Sequence, residues 1–281
     1  MDSSHVIFYT LICIFIKILS MAALLRICTY NVHGFNDTKC DYIQQLIDNH
    51  DLILLQEHWL LDSQCHIFED RFSGVSSHCV SGINDTALTT GRGYGGCVIL
   101  WKSSQVCTIE PIDVGNKRVC AVKIQLQDVS LFLCSIYMPC DSKYDGHNLE
   151  IYNAVLDDIF TNDICNNVDH VIIGGDFNTD LSRVRSAHTA SLLDICRREC
   201  VKCVQGHPKC NIDYTYESMS NHQRSCIDHF VVSDDLYDSI NYCNVLHDGD
   251  NLSDHDVVSM ELALNIKYDF IDAEFVRKPL W

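Results

Sequence analysis

Apolar residues along the chain gather in short runs that stop at glycine or at a polar residue, and several runs are separated by stretches with helical spacing. Residues 24–30 form the first run, which ends in Asn31-Val32-His33-Gly34. Residues 38–49 then set Tyr42, Ile43, Leu46 and Ile47 on one helical face, with Asp37 or Thr38 as the expected N-cap. Residues 51–57 read as a second core strand that closes on Gln56 and Glu57. Further strands are predicted at 97–101, 119–126 and 129–137, the last ending in Tyr137-Met138-Pro139. An amphipathic helix over 149–161, with Leu149, Tyr152, Val155, Leu156 and Ile159 on its apolar face, feeds the run Val171-Ile172-Ile173-Gly174-Gly175-Asp176-Phe177-Asn178.

That last run organises the rest. A β-branched core strand halts at two glycines, which let the backbone turn and a ligand come close, and it delivers Asp176 and Asn178 to a sheet edge. A helix is predicted over 186–199, a short strand over 212–217, and a strand over 226–233 with Asp228 near its start. The loop Ser253-Asp254-His255 precedes a final strand at 257–262. The pattern is that of a sheet-rich α/β chain with polar residues collected at strand ends.

At 281 residues and 47% apolar content the chain can bury a large core, and the lack of repeats or long Pro/Gly/Ser linkers favours one domain. A formal net charge of −18 argues against nucleic-acid binding through a general basic field. It leaves room for an enzyme that reaches phosphates through a bound cation, because acidic clusters are what a divalent-metal site needs. The 17 cysteines are odd in number and scattered through predicted elements, which suits reduced, buried thiols better than a disulfide framework. Their densest group, Cys196, Cys200, Cys203, His207 and Cys210, suggests zinc, but its spacers fit helix-face cysteines followed by a loop better than a zinc knuckle.

The apolar run at 6–16 is too short to span a bilayer comfortably and admits three readings: a secretory signal, a membrane anchor, or leader sequence upstream of a start at Met21. The step from Met21 straight into a core strand favours the third. The loop Gly91-Arg92-Gly93-Tyr94-Gly95-Gly96 lacks the Lys-Ser/Thr of a P-loop and no helix follows it, so it is not read as a nucleotide cradle.

Asn31, Glu57, Tyr137, Asp176, Asn178, Asp228, Asp254 and His255 form the candidate constellation. Singly, each has an ordinary structural reading, such as an Asx turn for Asp176 and Asn178 or a satisfied histidine for His255. Repetition at successive strand ends argues for a site. A carboxylate such as Glu57 suits Mg²⁺, which is held by one or two protein carboxylates with water and substrate phosphate.

The ordered motifs Tyr30-Asn31-Val32-His33-Gly34, Leu55-Gln56-Glu57, Gly95-Gly96-Cys97-Val98-Ile99-Leu100-Trp101, Ile136-Tyr137-Met138-Pro139, Gly175-Asp176-Phe177-Asn178, Ile227-Asp228-His229-Phe230 and Ser253-Asp254-His255 resemble the DNase I-like endonuclease/exonuclease/phosphatase superfamily. Within it they are most similar to the apurinic-type endonuclease domain of non-LTR retrotransposons. The resemblance runs over roughly 24–265. It implies a four-layer α/β sandwich of two packed mixed β-sheets flanked by helices, with the domain at 21–265, an apolar leader at 1–20 and a tail at 266–281.

It also implies a Mg²⁺-dependent DNA-nicking endonuclease, with Mn²⁺ as an alternative ion, that leaves 3′-hydroxyl and 5′-phosphate ends. By that resemblance Glu57 binds the metal, with Asn31 beside it and Asp254 on the metal side. Asp176 activates water, Asn178 holds the water or phosphate, and Tyr137 bonds a phosphate oxygen. His255 stabilises transition-state charge with Asp228 orienting it, and Thr215 contacts the DNA strand. DNA is the expected partner of a monomer with no stable membrane association, in an intracellular and conceivably nuclear setting. Two rival readings keep the motifs: a lipid or inositol phosphodiesterase on the same fold, and an inactive retroelement relic.

Overall fold

The computed structural model describes residues 19–83, 93–105, 107–141 and 146–268. The apolar run at 6–16, Gly91, Arg92 and the tail beyond 268 lie outside them. In chain order the elements begin with β1 (Leu19–Asn31), α1 (Cys40–Asn49), β2 (Leu52–Gln56), α2 (Ile67–Arg71), β3 (Val75–Val80) and β4 (Cys97–Lys102). They continue with β5 (Thr108–Ile112), β6 (Val119–Leu126), β7 (Val129–Tyr137), α3 (Gly146–Phe160), β8 (His170–Asp176) and α4 (Ala187–Arg198). The last part holds β9 (Val201–Cys203), β10 (Cys210–Asn211), β11 (Tyr216–Glu217), β12 (Arg224–Ser225), β13 (Asp228–Ser233), α5 (Asp234–Tyr237), β14 (Ile240–Leu246) and β15 (Val257–Tyr268).

Two mixed sheets form, one ordered β10-β14-β15-β1-β2-β4-β3 and the other β5-β6-β7-β8-β13-β9, while β11 and β12 make a separate small hairpin. Their inner faces interlock through Ile27, Leu54 and Ile99 from the first sheet and Val122, Leu133, Ile172 and Phe230 from the second. Strands buried on both faces need a second cover. On the first sheet it comes from α1 and α2, whose Ile43, Leu46 and Phe68 pack on Tyr30, Ile53 and Val98. On the second sheet α3 and α4 supply Tyr152, Val155, Leu192 and Ile195 against Phe132, Ile136 and Ile173. The result is the expected order of helix, sheet, sheet, helix.

Strand direction sets where the chemistry collects. β1 and β2 are parallel, so Asn31 and Gln56 sit side by side at one edge. β15 runs antiparallel to β1 over a register from Leu19↔Tyr268 to Thr29↔Val258, which brings its start, just after His255, to the same edge. In the second sheet β7 and β8 are parallel and β13 is antiparallel to β8, so Tyr137, Asp176 and Asp228 line up across three strands. Beneath that edge a buried polar chain ties the sheets: Thr29 Oγ1 donates to Gln56 Oε1, and Gln56 Nε2 donates to Ser135 Oγ at 2.9 Å.

Several local details differ from expectation. Neither Asp37 nor Thr38 caps α1: Asn36, whose side chain accepts from Thr38 N, caps a 3₁₀ turn at Asp37–Lys39, and Lys39 leads into α1 without a side-chain cap bond. Of the strand expected at 212–217 only Tyr216–Glu217 pairs with β12, and the Thr215 side chain just before it turns inward to bond Asp228. One disulfide, Cys65–Cys79, joins the segment after β2 to β3 at a Cα separation of 5.8 Å, a correction to the reading of all thiols as reduced; the other described cysteines are free. The zinc grouping does not assemble. Cys196 and Cys203 meet sulfur to sulfur at 3.8 Å, Cys200 is exposed, Cys210 bonds Cys243, and His207 Nδ1 accepts from Lys209 N. Among the described residues no three ligand atoms of that group converge.

Gly175 shows how tightly the site strand is fitted. It has φ +154, and a Cβ there would stand 2.1 Å from Ile136 O on β7. Backbone cannot retreat from such a contact as a side-chain tip can. Gly175→Ala is expected to cost about 3 kcal/mol or to prevent folding, by the usual size of overpacking effects. Urea denaturation followed by circular dichroism checks this, and an unchanged midpoint would refute the fit described for β8.

Candidate active site

At the shared edge of the sheets lies an open cleft of about 600 Å³. Glu57, Tyr137, Asp176, Asn178, Asp254 and His255 line it, together with His33, Trp59, Arg183 and Tyr216. Asn31, Asp228 and Thr215 stand behind the wall, each fully buried. All the residues singled out in the sequence are therefore within one hydrogen-bonded neighbourhood, but in two layers.

Asn31 is the link between the sheets. Its Nδ2 donates to Glu57 Oε1 at 2.8 Å and to Asp176 Oδ2 at 2.9 Å, while its Oδ1 accepts from His33 N. Asp176 Oδ1 accepts from Asn178 N at 2.8 Å, and Asn178 Nδ2 donates to Met138 O. Glu57 and Asn178 both have positive φ, 54° and 49°, as the chain turns sharply out of each strand. Trp59 Nε1 donates to the second oxygen of Glu57 at 3.1 Å.

Opposite stands His255. Its Nδ1 lies 2.9 Å from Asp228 Oδ2 and its Nε2 3.9 Å from Asp176 Oδ2. Asp228 Oδ2 also accepts from Thr215 Oγ1 at 2.7 Å, and Thr215 Oγ1 in turn accepts from Ile227 N and Asp228 N. Burial opposes charge on the imidazole, but Asp228, by charge and hydrogen bond, outweighs it with help from Asp176 and Asp254, raising the His255 pKa to about 10. Burial, then the nearby Asp228, push Asp176 up to about 7 against the pull of His255 and of the Asn178 and Asn31 bonds. Burial and the Glu57 and Asp176 charges keep the Tyr137 phenol protonated, so it can donate.

Ligand atoms of Asp176, Asp228 and His255 lie within 4.8 Å of one another, a spacing that could hold a metal ion. The Thr215 hydroxyl already donates to Asp228, and the protonated imidazole supplies the positive charge between the two carboxylates. The better donor set faces the cleft from Glu57, whose carboxylate offers hard oxygen ligands of the type Mg²⁺ or Mn²⁺ takes, with Asp254 as a second carboxylate on the wall. Asp254 Oδ1 meets His33 Nδ1 at 2.5 Å.

Thr215, expected from the resemblance to contact DNA, is fully buried and braces Asp228, while the next residue, Tyr216, lines the cleft with its ring 4.9 Å from that of His255. Sequence reasoning assigned no role to His33, Trp59, Arg183 or Tyr216. His33 sits within the motif that flags Asn31, and Trp59 lies two residues after Glu57, which was the available signal.

A family model described as the endonuclease/exonuclease/phosphatase family matches residues 28–255. The chain belongs to that family. Compared by sequence with curated proteins, it matches none. Among solved structures it is similar to the AP endonuclease LMAP from Leishmania major, with TM-score 0.69, 16% identity, and 86% of this chain and 88% of that one covered. It also resembles the endonuclease domain of TRAS1, a telomere-specific non-LTR retrotransposon, with TM-score 0.64, 14% identity and coverage of 85% and 98%. A third is the 3′ phosphatase NExo from Neisseria bound to product DNA hairpin, with TM-score 0.61, 17% identity and coverage of 85% and 99%. At such identities the likeness is one of fold, and the fold is DNase I-like. No helix among the described residues is long and apolar enough to cross a membrane.

The brace behind His255 is open to test. Thr215→Val leaves two buried backbone N–H groups and the Asp228 carboxylate without their shared partner, so a loss of about 2 kcal/mol is expected. Thr215→Ser, which keeps the hydroxyl, should retain most of the stability. Equal unfolding midpoints for the Val variant and the unaltered protein would contradict the brace.

Proposed function

We propose that this family member is a divalent-cation-dependent phosphodiesterase that nicks DNA, most readily with Mg²⁺ and also with Mn²⁺, leaving 3′-hydroxyl and 5′-phosphate ends. The observation that carries the reading is the opposition across one cleft of a cationic imidazole, His255, and an outward carboxylate, Glu57, with Asp176 between them. Hydrolysis of a phosphodiester needs positive charge on the phosphoryl oxygens and a base for the attacking water.

A divalent ion held by Glu57, with Asp254 on its side of the cleft, would neutralise charge on a phosphoryl oxygen and on the leaving group. The chain's own residues supply the rest. Asp176, fixed by Asn31 and by the Asn178 backbone, accepts a proton from water, and Asn178 orients that water or the phosphate. Tyr137 donates its phenolic proton to a phosphate oxygen. His255, held by Asp228, presents Nε2–H to the charge that builds in the transition state.

Two features favour DNA over a phospholipid headgroup. The cleft is open and lined by both polar and aromatic side chains, with Tyr94 and Tyr216 able to lie against sugars or bases and Arg183 able to meet a backbone phosphate. One of the similar structures is a phosphatase solved with a product DNA hairpin. With a net charge of −18 the chain has little to hold the duplex at a distance from the cleft, so binding should be weak and should weaken further with salt.

Supercoiled plasmid should be relaxed by the full chain in Mg²⁺ and left intact in EDTA. Glu57→Ala, Asp176→Asn and His255→Ala should each lower the nicking rate by about a hundredfold or more while the circular dichroism spectrum is kept. Full activity in any of the three would remove that residue from the mechanism. Cleavage of a phospholipid headgroup in place of plasmid would move the substrate to the lipid class.

A further inference from the structure

We propose that Trp59 is a positioning residue that holds the Glu57 carboxylate ready for the divalent cation. The inference rests on the reading of Glu57 as the cation's ligand. A glutamate at the end of a strand keeps broad freedom about its last torsion. Here both oxygens are tethered: Oε1 accepts from Asn31 Nδ2 at 2.8 Å and Oε2 from Trp59 Nε1 at 3.1 Å. A carboxylate has about four lone-pair positions, so these two bonds fix its plane and, with the Tyr137 phenol also bonding Glu57, still leave one position for a cation.

The indole is itself held in place. Trp59 has φ 60, a conformation unusual for a bulky residue, and its backbone N–H donates to Gly95 O at 3.1 Å. The carbonyls of Glu57 and His58 accept from Gly34 N and Phe35 N, pinning the turn on its other side. A Cβ on Gly34 would come within 2.3 Å of the indole ring, and one on Gly93 within 2.7 Å of Trp59 Cβ, so two glycines make room for this side chain. The ring meets His33 edge-on at 5.1 Å, and His33 holds Asp254. One side chain thus touches Glu57 itself and the partner of Asp254, the two carboxylates read as lying on the metal side.

Packing alone would explain a half-buried aromatic wedge. It does not require the ring nitrogen to face Glu57, and Trp59→Phe separates the two roles because it keeps the ring and removes the donor. Titration calorimetry of the full chain with Mn²⁺, run beside thermal melting in EDTA, is the test. The Phe variant should melt like the unaltered protein and bind Mn²⁺ about tenfold or more weakly, the usual effect of removing a hydrogen bond behind a metal ligand. The Mg²⁺ concentration for half-maximal nicking should rise by a similar factor, with the rate at saturating Mg²⁺ moving much less.

Equal Mn²⁺ affinity in a folded Phe variant overturns the inference while leaving Glu57 as ligand. Unaltered protein that binds no Mn²⁺ overturns both. Binding of Mn²⁺ without plasmid nicking counts against the DNA reading only, and the comparison of affinities still decides the role of Trp59. Should the Phe variant fail to fold, 5-fluorotryptophan in the unaltered sequence, with resonances assigned by elimination through Trp101→Phe and Trp281→Phe, gives the answer. A Mg²⁺-induced shift of the Trp59 fluorine supports the inference and an unmoved resonance overturns it.

Discussion

The site depends first on one amide. Asn31 ends a strand of the first sheet, and its single NH₂ group donates to a carboxylate of its own sheet and to one of the other. Two carboxylates this close repel, and burial raises the cost of their charge. Two donor protons between them are what allow the sheets to present both at a common edge. The buried chain of Thr29, Gln56 and Ser135 adds a second polar tie between the sheets one layer deeper, within an otherwise apolar core.

Around that link the division of labour follows burial. Residues on the cleft wall can touch a substrate, and those behind it set the charge and direction of the wall. Asp228 and Thr215 have no exposed surface, yet their bonds decide that His255 is cationic and that its Nε2 points toward Asp176. The glutamate side is built the same way, with Asn31 behind and the Trp59 indole beside it.

Much of this was readable in the residues because the relevant strands are buried on both faces. β2, β6, β7 and β8 are near-continuous apolar runs, and their ends are marked by the polar residues that follow. β3, β5 and β14 were missed, and the reason is physical. β3 and β5 are edge strands, β14 lies next to an edge, and their half-exposed faces carry Ser76, Glu110 and Asn241 in place of an apolar run. The strand-end carboxylates and His255 stood out for their chemistry, whereas Trp59 did not, since an aromatic residue after a core strand looks like packing until its nitrogen is seen on Glu57. Thr215 was assigned a surface task because nothing local signals that it turns inward, a choice made by a bond to a residue thirteen positions later. The Cys65–Cys79 pairing is of the same kind, set by where β3 lies and not by any spacing.

The long antiparallel pairing of β1 with β15 reaches beyond the core. Leu19 and Tyr268 face each other at one end of it, and Asn31 lies at the other, about 40 Å along the strand at the usual rise per residue. The outer residues of this pairing, Leu19 and Tyr268, therefore both lie at the pole opposite the cleft. Tethers, tags or neighbouring domains can be attached there in pairs, side by side, without standing in front of the cleft.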